Sequence, residues 1–208
     1  MAGNLFLFDF DGVLVDSLEV YHRAVSWCLE RIGMPFISTQ EEYVALFEDN
    51  FYASLAEKGV DLHAFSQALN EYARDVDYYR DVKPFTTVLT VLEELCRADT
   101  LAIISSNSAA AIGKIMARLH YNGCFREILG SEFHLSKKAK IDHMVAKYGR
   151  SRERTFYVGD TTGDIKEGKA AGIKTIAVAW GWHPRETLAA ENPDFLIARP
   201  DELLAIAG

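Results

Sequence analysis

Residues 5–17 read Leu5-Phe6-Leu7-Phe8-Asp9-Phe10-Asp11-Gly12-Val13-Leu14-Val15-Asp16-Ser17, and the fold is decided there. Four consecutive apolar residues run into two acids and a glycine. A short run that is apolar at every position fits a strand buried on both faces, as in a parallel sheet, and Gly12 marks the loop it enters. Similar runs recur at Leu101-Ala102-Ile103-Ile104, Phe156-Tyr157-Val158 and Thr175-Ile176-Ala177-Val178, with a weaker one at Ile128-Leu129. Helical patterns lie between them. Residues 87–96 carry Leu89, Leu92 and Cys96 on one face. Ile112, Ile115, Met116 and Leu119 mark a second helix. Ile141, Met144, Val145 and Tyr148, ended by Gly149, mark a third, and residues 163–171, closed by Gly172, a fourth. Strands alternating with helices predict an α/β fold with a Rossmann-like, doubly wound parallel sheet.

The segment 17–80 breaks the alternation. Leu62, Phe65, Leu69, Tyr72, Val76 and Tyr79 recur at helical spacing. Val20, Ala24, Trp27 and Cys28 mark another helix, and Ser38-x-x-Glu41 or Thr39-x-x-Glu42 reads as a capping box opening a third. The reading is an all-helical insert at 17–80 within a core made of 1–16 and 81–208. Lys83-Pro84 stands where the chain re-enters the core, because the residue before a proline resists helix. The insert holds 11 acids against 5 bases and 11 of the chain's 24 aromatic residues. That suits a thin core closed by large rings, or rings lining a pocket over the sheet.

Composition excludes other classes. With 49% hydrophobic and 25% charged residues among 208, the chain is an ordinary globular protein. A net charge of −8, and no basic run longer than Lys137-Lys138, argue against a nucleic-acid partner. No apolar stretch nears the roughly 20 residues of a membrane span, so no membrane partner is expected. Met1-Ala2-Gly3-Asn4 has no cationic leader character. Three scattered cysteines, Cys28, Cys96 and Cys124, suggest buried free thiols in a reducing cytoplasm.

Ligands of an open α/β sheet bind beyond the carboxyl ends of its strands, and the acids fall there. Asp9 and Asp11 follow the first strand. Asp160 follows Tyr157-Val158-Gly159, and Asp164 comes one helical turn later. Four carboxylates without nearby histidines suit a hard cation such as Mg²⁺ rather than zinc. Ser105-Ser106-Asn107-Ser108, entering a helix, can cradle a phosphate with hydroxyls and backbone N–H groups. Lys137, Lys138 and Lys140 offer an ammonium to neutralise a phosphate or a carboxylate.

These features, in this order, resemble the haloacid dehalogenase superfamily. Residues 9–17 match its first motif, DxDGxxxDS. Ser105 matches the second motif's Ser or Thr, Lys138 is the best match to the third motif's lysine, with Lys137 and Lys140 as alternatives, and 159–164 matches the fourth, GDxxxD. The tail, with Val178-Ala179-Trp180-Gly181, Pro193-Asp194-Phe195-Leu196-Ile197 and Pro200-Asp201-Glu202-Leu203, is similar to the close of phosphoglycolate-phosphatase-like members. The resemblance covers nearly the whole length, and the insert stands where that family carries a helical cap.

The resemblance implies a phosphatase acting on a small phosphorylated metabolite, phosphoglycolate- or sugar-phosphate-like. Asp9 would be the nucleophile and Asp11 the general acid and base. Asp9, Asp11 (through its carbonyl) and Asp160 would hold Mg²⁺, with Asp164 behind them or acting through water. Ser105, Lys138 and the N–H groups of Ser106 and Asn107 would hold the phosphoryl oxygens. Asp11 would need to keep a proton near neutrality, far above an ordinary aspartate near 3.9. Asp16 would anchor the loop beside the cap. Tyr21, His22, Tyr43, Phe47, Asn50 and Lys58 are candidates to face the pocket from the insert, and His183 and Arg185 from the last active-edge loop. A β-phosphoglucomutase-type mutase shares all four motifs, but its relatives carry a histidine where Tyr21 stands. A phosphonate hydrolase would need a well-placed insert lysine, and Lys58 alone is available. A dehalogenase proper needs no acid at Asp11. A non-catalytic phospho-aspartate switch would be shorter and lack the insert.

Overall fold

Side chains along a strand point alternately to opposite faces, and β1 (Leu5–Phe8) buries all four of its residues. The computed structural model describes residues 3–75, 77–121, 123–133 and 136–208. In it β1 lies at the centre of a six-stranded sheet. Its neighbours are β4 (Thr100–Ile104) and β6 (Thr155–Gly159), both parallel, with Leu5 opposite Thr100 and Thr155. Outside β4 lies β5 (Phe125–Leu129). Outside β6 lie β7 (Lys174–Val178) and then β8 (Phe195–Ile197). The order β5-β4-β1-β6-β7-β8 is that of a doubly wound sheet whose winding reverses beside β1, where the crevice for a ligand opens.

The two faces are covered by different helices. Phe6 and Phe8 belong to one apolar cluster with Val88 and Leu92 of α5 (Thr86–Leu95), Ile112 and Ile115 of α6 (Ala109–Arg118) and Leu203 of α10 (Glu202–Ala207). Leu5 and Leu7 belong to another with Ile141 and Met144 of α7 (Lys137–Tyr148). Ile165 of α8 (Thr162–Ala170) and Leu188 of α9 (Arg185–Ala190) pack with Ala177 of β7. α7 starts at Ser136, whose hydroxyl accepts from Ala139 N, and stops at Gly149, whose φ of 60° favours glycine.

The described residues of 17–81 form four helices and no strand. They are α1 (Leu18–Arg31), α2 (Gln40–Val44), α3 (Phe51–Glu57) and α4 (Leu62–Asp75), with 3₁₀ turns at Ala45–Phe47 and Tyr78–Asp81. The capping box is the Thr39–Glu42 one: Glu42 also accepts from the N–H of Ser38. The 62–79 stripe is helical to Asp75, and Val76 lies outside the described residues. Buried residues of these helices, among them Val25, Leu46, Leu55 and Phe65, are continuous with the Phe6–Phe8 cluster through Phe10, Val13 and Leu14.

One element escaped the sequence pattern. Val15–Asp16 (β2) pairs antiparallel with Lys83–Pro84 (β3), so the chain leaves for the helices and returns along a two-stranded ribbon. Pro84 is tolerated because such a short edge makes few ladder bonds. The cysteine expectation needs correction too. Cys28 is buried, but Cys96 and Cys124 are half-buried and meet, Sγ to Sγ at 2.8 Å.

Candidate active site

The carboxyl ends of β1 and β6 bring Asp9 and Asp160 to the reversal of the sheet. The first turn of α8 adds Asp164. Oxygens of these three buried carboxylates lie within 4.8 Å of one another. Such a group repels itself unless a cation joins it, and Lys137, the first residue of α7, does so. Its Nζ lies 2.7 Å from Asp9 Oδ2 and 2.6 Å from Asp164 Oδ1.

Asp164 is saturated. Its Oδ1 accepts from Lys137 and from the Tyr157 hydroxyl. Its Oδ2 accepts from the N–H groups of Asp160 and Thr161 and from the Thr161 hydroxyl. The same Thr161–Asp164 exchange is the capping box that starts α8. Burial opposes its ionisation, but Lys137 and the Thr161 hydrogen bonds outweigh that and hold its carboxyl below the ordinary value. Burial likewise opposes protonation of Lys137, yet Asp164 and Asp9 keep the ammonium charged well beyond its usual range.

Asp160 is held the opposite way. Its Oδ2 accepts from Trp182 N at 2.7 Å, while Oδ1 is buried with no hydrogen-bond partner among the described residues. Desolvation, then the charges of Asp164 and Asp9, push its pKa well above the ordinary value. Two glycines press on it. A Cβ on Gly12, whose φ is +77°, would stand 2.0 Å from Asp160 Oδ2, and one on Gly181 would stand 2.2 Å from Asp160 Cβ. An orphaned buried carboxylate oxygen costs stability. An all-oxygen donor set with such an orphan and surplus negative charge fits a hard divalent cation. Asp9 and Asp160 could hold one, with the saturated Asp164 beside them in the same group.

Asp11 is not part of that cluster. Its carboxylate turns away and accepts from Ser17 Oγ at 2.7 Å and Asn107 Nδ2 at 3.2 Å. Burial, followed by the nearby Asp9 charge, raises its pKa to about 7. Burial also raises Asp9, to about 6, against the pull of Lys137.

The Ser105–Ser108 segment follows β4. Ser105 is buried, and its Oγ accepts from the N–H of Asn107 at 3.1 Å. Its carbonyl accepts from Lys140 Nζ at 2.5 Å. Asn107 donates from its amide to Asp11 and to the Tyr21 hydroxyl and accepts from Ser108 N, so its side chain orients Asp11. Ser106 lines the same cavity, and its carbonyl accepts from the Tyr52 hydroxyl.

Lys138 is not brought to the site. It faces solvent and pairs with Asp142 one turn on, at 2.6 Å. Lys137 takes the position expected of it, and Lys140 is buried behind Ser105. The helical face already marked by Ile141 and Met144 includes 137 and 140 at i−4 and excludes 138. That periodicity was the available signal.

Above the carboxylates is a cavity of about 60 Å³, room for roughly four to six waters. Tyr21, Tyr43 and Phe47 from the insert candidates line it, joined by Phe51, Tyr52 and Trp182, which sequence reasoning did not select. His22, Asn50 and Lys58 are not in its lining. Asn50 caps α3 and bonds Glu167, and Lys58 sits over the Phe36 ring. His183 is buried, accepting from Thr162 N and meeting the Val44 carbonyl through Nε2, so it ties the 162 turn to α2. Arg185 is exposed at the start of α9.

A family model for haloacid dehalogenase-like hydrolases matches residues 6–178. The chain belongs to that family. As a haloacid dehalogenase-like hydrolase it is 29% identical over 200 residues to the phosphoglycolate phosphatase of Synechococcus elongatus, covering 95% of this chain and 94% of the relative. It is 28% identical to that of Aquifex aeolicus, over 98% and 96%. A haloacid dehalogenase-like family hydrolase from Streptococcus pneumoniae superposes with a TM-score of 0.79 at 23% identity, over 98% of this chain and 97% of that one, which concerns the fold alone. None of the helices described is long and apolar enough to cross a membrane.

Proposed function

We propose that this hydrolase is a cytoplasmic, Mg²⁺-dependent phosphatase that cleaves a small phosphomonoester through an aspartyl-phosphate on Asp9, with residues 17–80 acting as its cap. The observation that carries the reading is the buried Asp9–Asp160–Asp164 group, neutralised in part by Lys137 and left with one unpartnered oxygen on Asp160. The relatives' names put phosphoglycolate among the compounds to be tried.

The contacts support the following roles. Asp9 is fixed by Phe10 N–H and Lys137, so its attack on phosphorus is positioned rather than bimolecular. As the Asp9–phosphorus bond forms, the bond from phosphorus to the alcohol oxygen breaks. Asp11, raised to about 7, delivers its proton to that departing oxygen. It then removes a proton from the water that attacks phosphorus and frees Asp9. Ser105, Lys137 and the N–H of Ser106 steady the phosphoryl oxygens. Asn107 acts through Asp11, its backbone N–H being engaged by Ser105. Mg²⁺ held by Asp9, Asp160 and the Asp11 carbonyl would offset the charge of the phosphoryl group, and Asp164 orients that set from behind.

The test is hydrolysis of an aryl phosphate. Turnover should require Mg²⁺, stop with a chelator and be abolished in Asp9→Asn. Quenched wild-type enzyme should carry phosphate on the peptide containing Asp9. Undiminished turnover in Asp9→Asn would reject the covalent route.

A further inference from the structure

The cavity above the carboxylates is unusual in what it omits. Its lining contains three acids, Asp9, Asp11 and Asp160, and one cation, Lys137. That ammonium is already shared between Asp9 and Asp164 at 2.7 and 2.6 Å. A second, larger cavity of about 590 Å³ adjoins the first and shares Tyr52, Phe65, Leu69, Ser106 and Asn107 with it. Among the described residues no lysine or arginine lines it either, His63 is its one titratable base and Glu132 its one acid.

Of the rest of the first cavity's wall, seven residues carry rings, and Val25, Leu69, Ser105, Ser106, Asn107 and Thr161 complete it. Phe47 stacks on Phe51 with centroids 5.0 Å apart and meets Tyr43 and Trp182 edge-on at 5.2 and 4.9 Å. The polar handles among these residues are few. Tyr21 and Asn107 bond each other, Tyr52 donates to the Ser106 carbonyl, and Trp182 Nε1 is buried with no partner among the described residues. Resting on the phosphatase reading, the alcohol oxygen must face Asp11 to receive its proton. The remainder of the alcohol then lies against the rings. A carboxylate there would be desolvated beside Asp11 with no free lysine or arginine among the described lining residues to meet it, which is a costly placement. Ring faces instead favour apolar or cationic groups.

We infer that the leaving alcohol of the natural substrate is small, carries no negative charge and is bound by the ring faces, so that the chain discriminates against phosphoglycolate, the compound named in its relatives. Leu69 is the position that sets this: it is half-buried on α4 and lines both cavities.

Two readouts test it. The first is kcat/KM with Mg²⁺ for benzyl phosphate, choline phosphate and phosphoglycolate. Wild type should favour the first two over phosphoglycolate by at least tenfold, and Leu69→Arg should raise the phosphoglycolate value at least tenfold while lowering that for choline phosphate. The second is binding of the same three esters to Asp9→Asn, followed by tryptophan fluorescence with Trp182 in the wall, and it should give the same order. Equal or preferred use of phosphoglycolate by wild type, with tighter binding of it to Asp9→Asn, overturns the inference while leaving the phosphatase reading intact. Absence of turnover with any ester, alongside the expected binding order, overturns the phosphatase reading and supports the inference about the pocket.

Discussion

Replacing Lys137 with methionine should do far more harm than the same change at Lys138, although the two are adjacent. Lys137 is buried and bridges Asp9 and Asp164. Removing one partner of a buried ion pair costs about 3–5 kcal/mol, because the charges left behind are unpaired. For a chain of this length that is a fall in Tm of roughly 6–20 °C. The loss should depend on pH with a definite sign. Without the ammonium, the folded-state pKa of Asp9, already above its unfolded value, climbs further, and that of Asp164 rises from below its unfolded value to above it. The folded variant then holds protons that the unfolded chain has released, so its stability falls as pH rises through that window. The penalty is smaller at pH 5 than at pH 8. Activity should vanish as well, since Asp9, already raised to about 6, moves further toward the protonated and non-nucleophilic form. Lys138→Met removes only an exposed pair with Asp142 one turn away, worth about 0.3–0.5 kcal/mol, and should leave aryl phosphate turnover unchanged. Urea denaturation at the two pH values with the turnover assay decides it. A Lys138→Met enzyme that is inactive beside a Lys137→Met enzyme that is stable and active would refute the reasoning.

Two further outcomes are expected. Mg²⁺ at a hundred times its dissociation constant should stabilise wild type by about 2.7 kcal/mol, seen as a rise in Tm. Asp160→Asn and Gly12→Ala should both lose that rise, the latter because a Cβ at φ +77° collides with Asp160 Oδ2, and an unchanged shift in either would contradict the placement of Asp160. Lys140 is fully buried, and burial followed by the Lys137 charge lowers its pKa to about 8 from 10.5. Between those values the unfolded chain binds a proton that the folded chain lacks, so this residue contributes a rise in stability with pH of about 3 kcal/mol. The difference between wild type and Lys140→Met in denaturation midpoints from pH 7.5 to 10.5 measures it, and parallel profiles would refute it.

The parts of the site that lie at strand ends were legible in the sequence, because a fully apolar run followed by an acid states both the strand and its exit. Asp9, Asp11 and Asp160 are of that kind. The β2–β3 ribbon was not legible, since two-residue strands carry no periodicity, and Val15–Asp16 and Lys83–Pro84 are brought together only by the helices between them. The aromatic wall was legible as composition and not as place. Tyr43 and Phe47 were candidates to face a pocket from the insert, but whether a ring fills a core or lines a cavity depends on how they come to rest beside Trp182. Trp182 was hidden for a different reason: it joins the wall from a loop far along the chain, and its backbone N–H, rather than its ring, is what holds Asp160.

Asp164 shows why local and functional readings of one residue need not compete. Its carboxylate satisfies the N–H groups at the start of α8, as any capping-box acid does. Its other oxygen, Oδ1, holds Lys137, and Lys137 holds Asp9. The start of a helix, the orientation of an ammonium and the charge on a nucleophile are therefore set by one side chain. Asp164→Asn keeps an acceptor for Thr161 and removes the charge, so it separates the two duties. α8 should form normally by circular dichroism, while the Lys137 ammonium loses half of its anionic support and the attack by Asp9 slows. An equal loss of helix and of activity would mean that the cap, and not the charge, is what the site requires of Asp164.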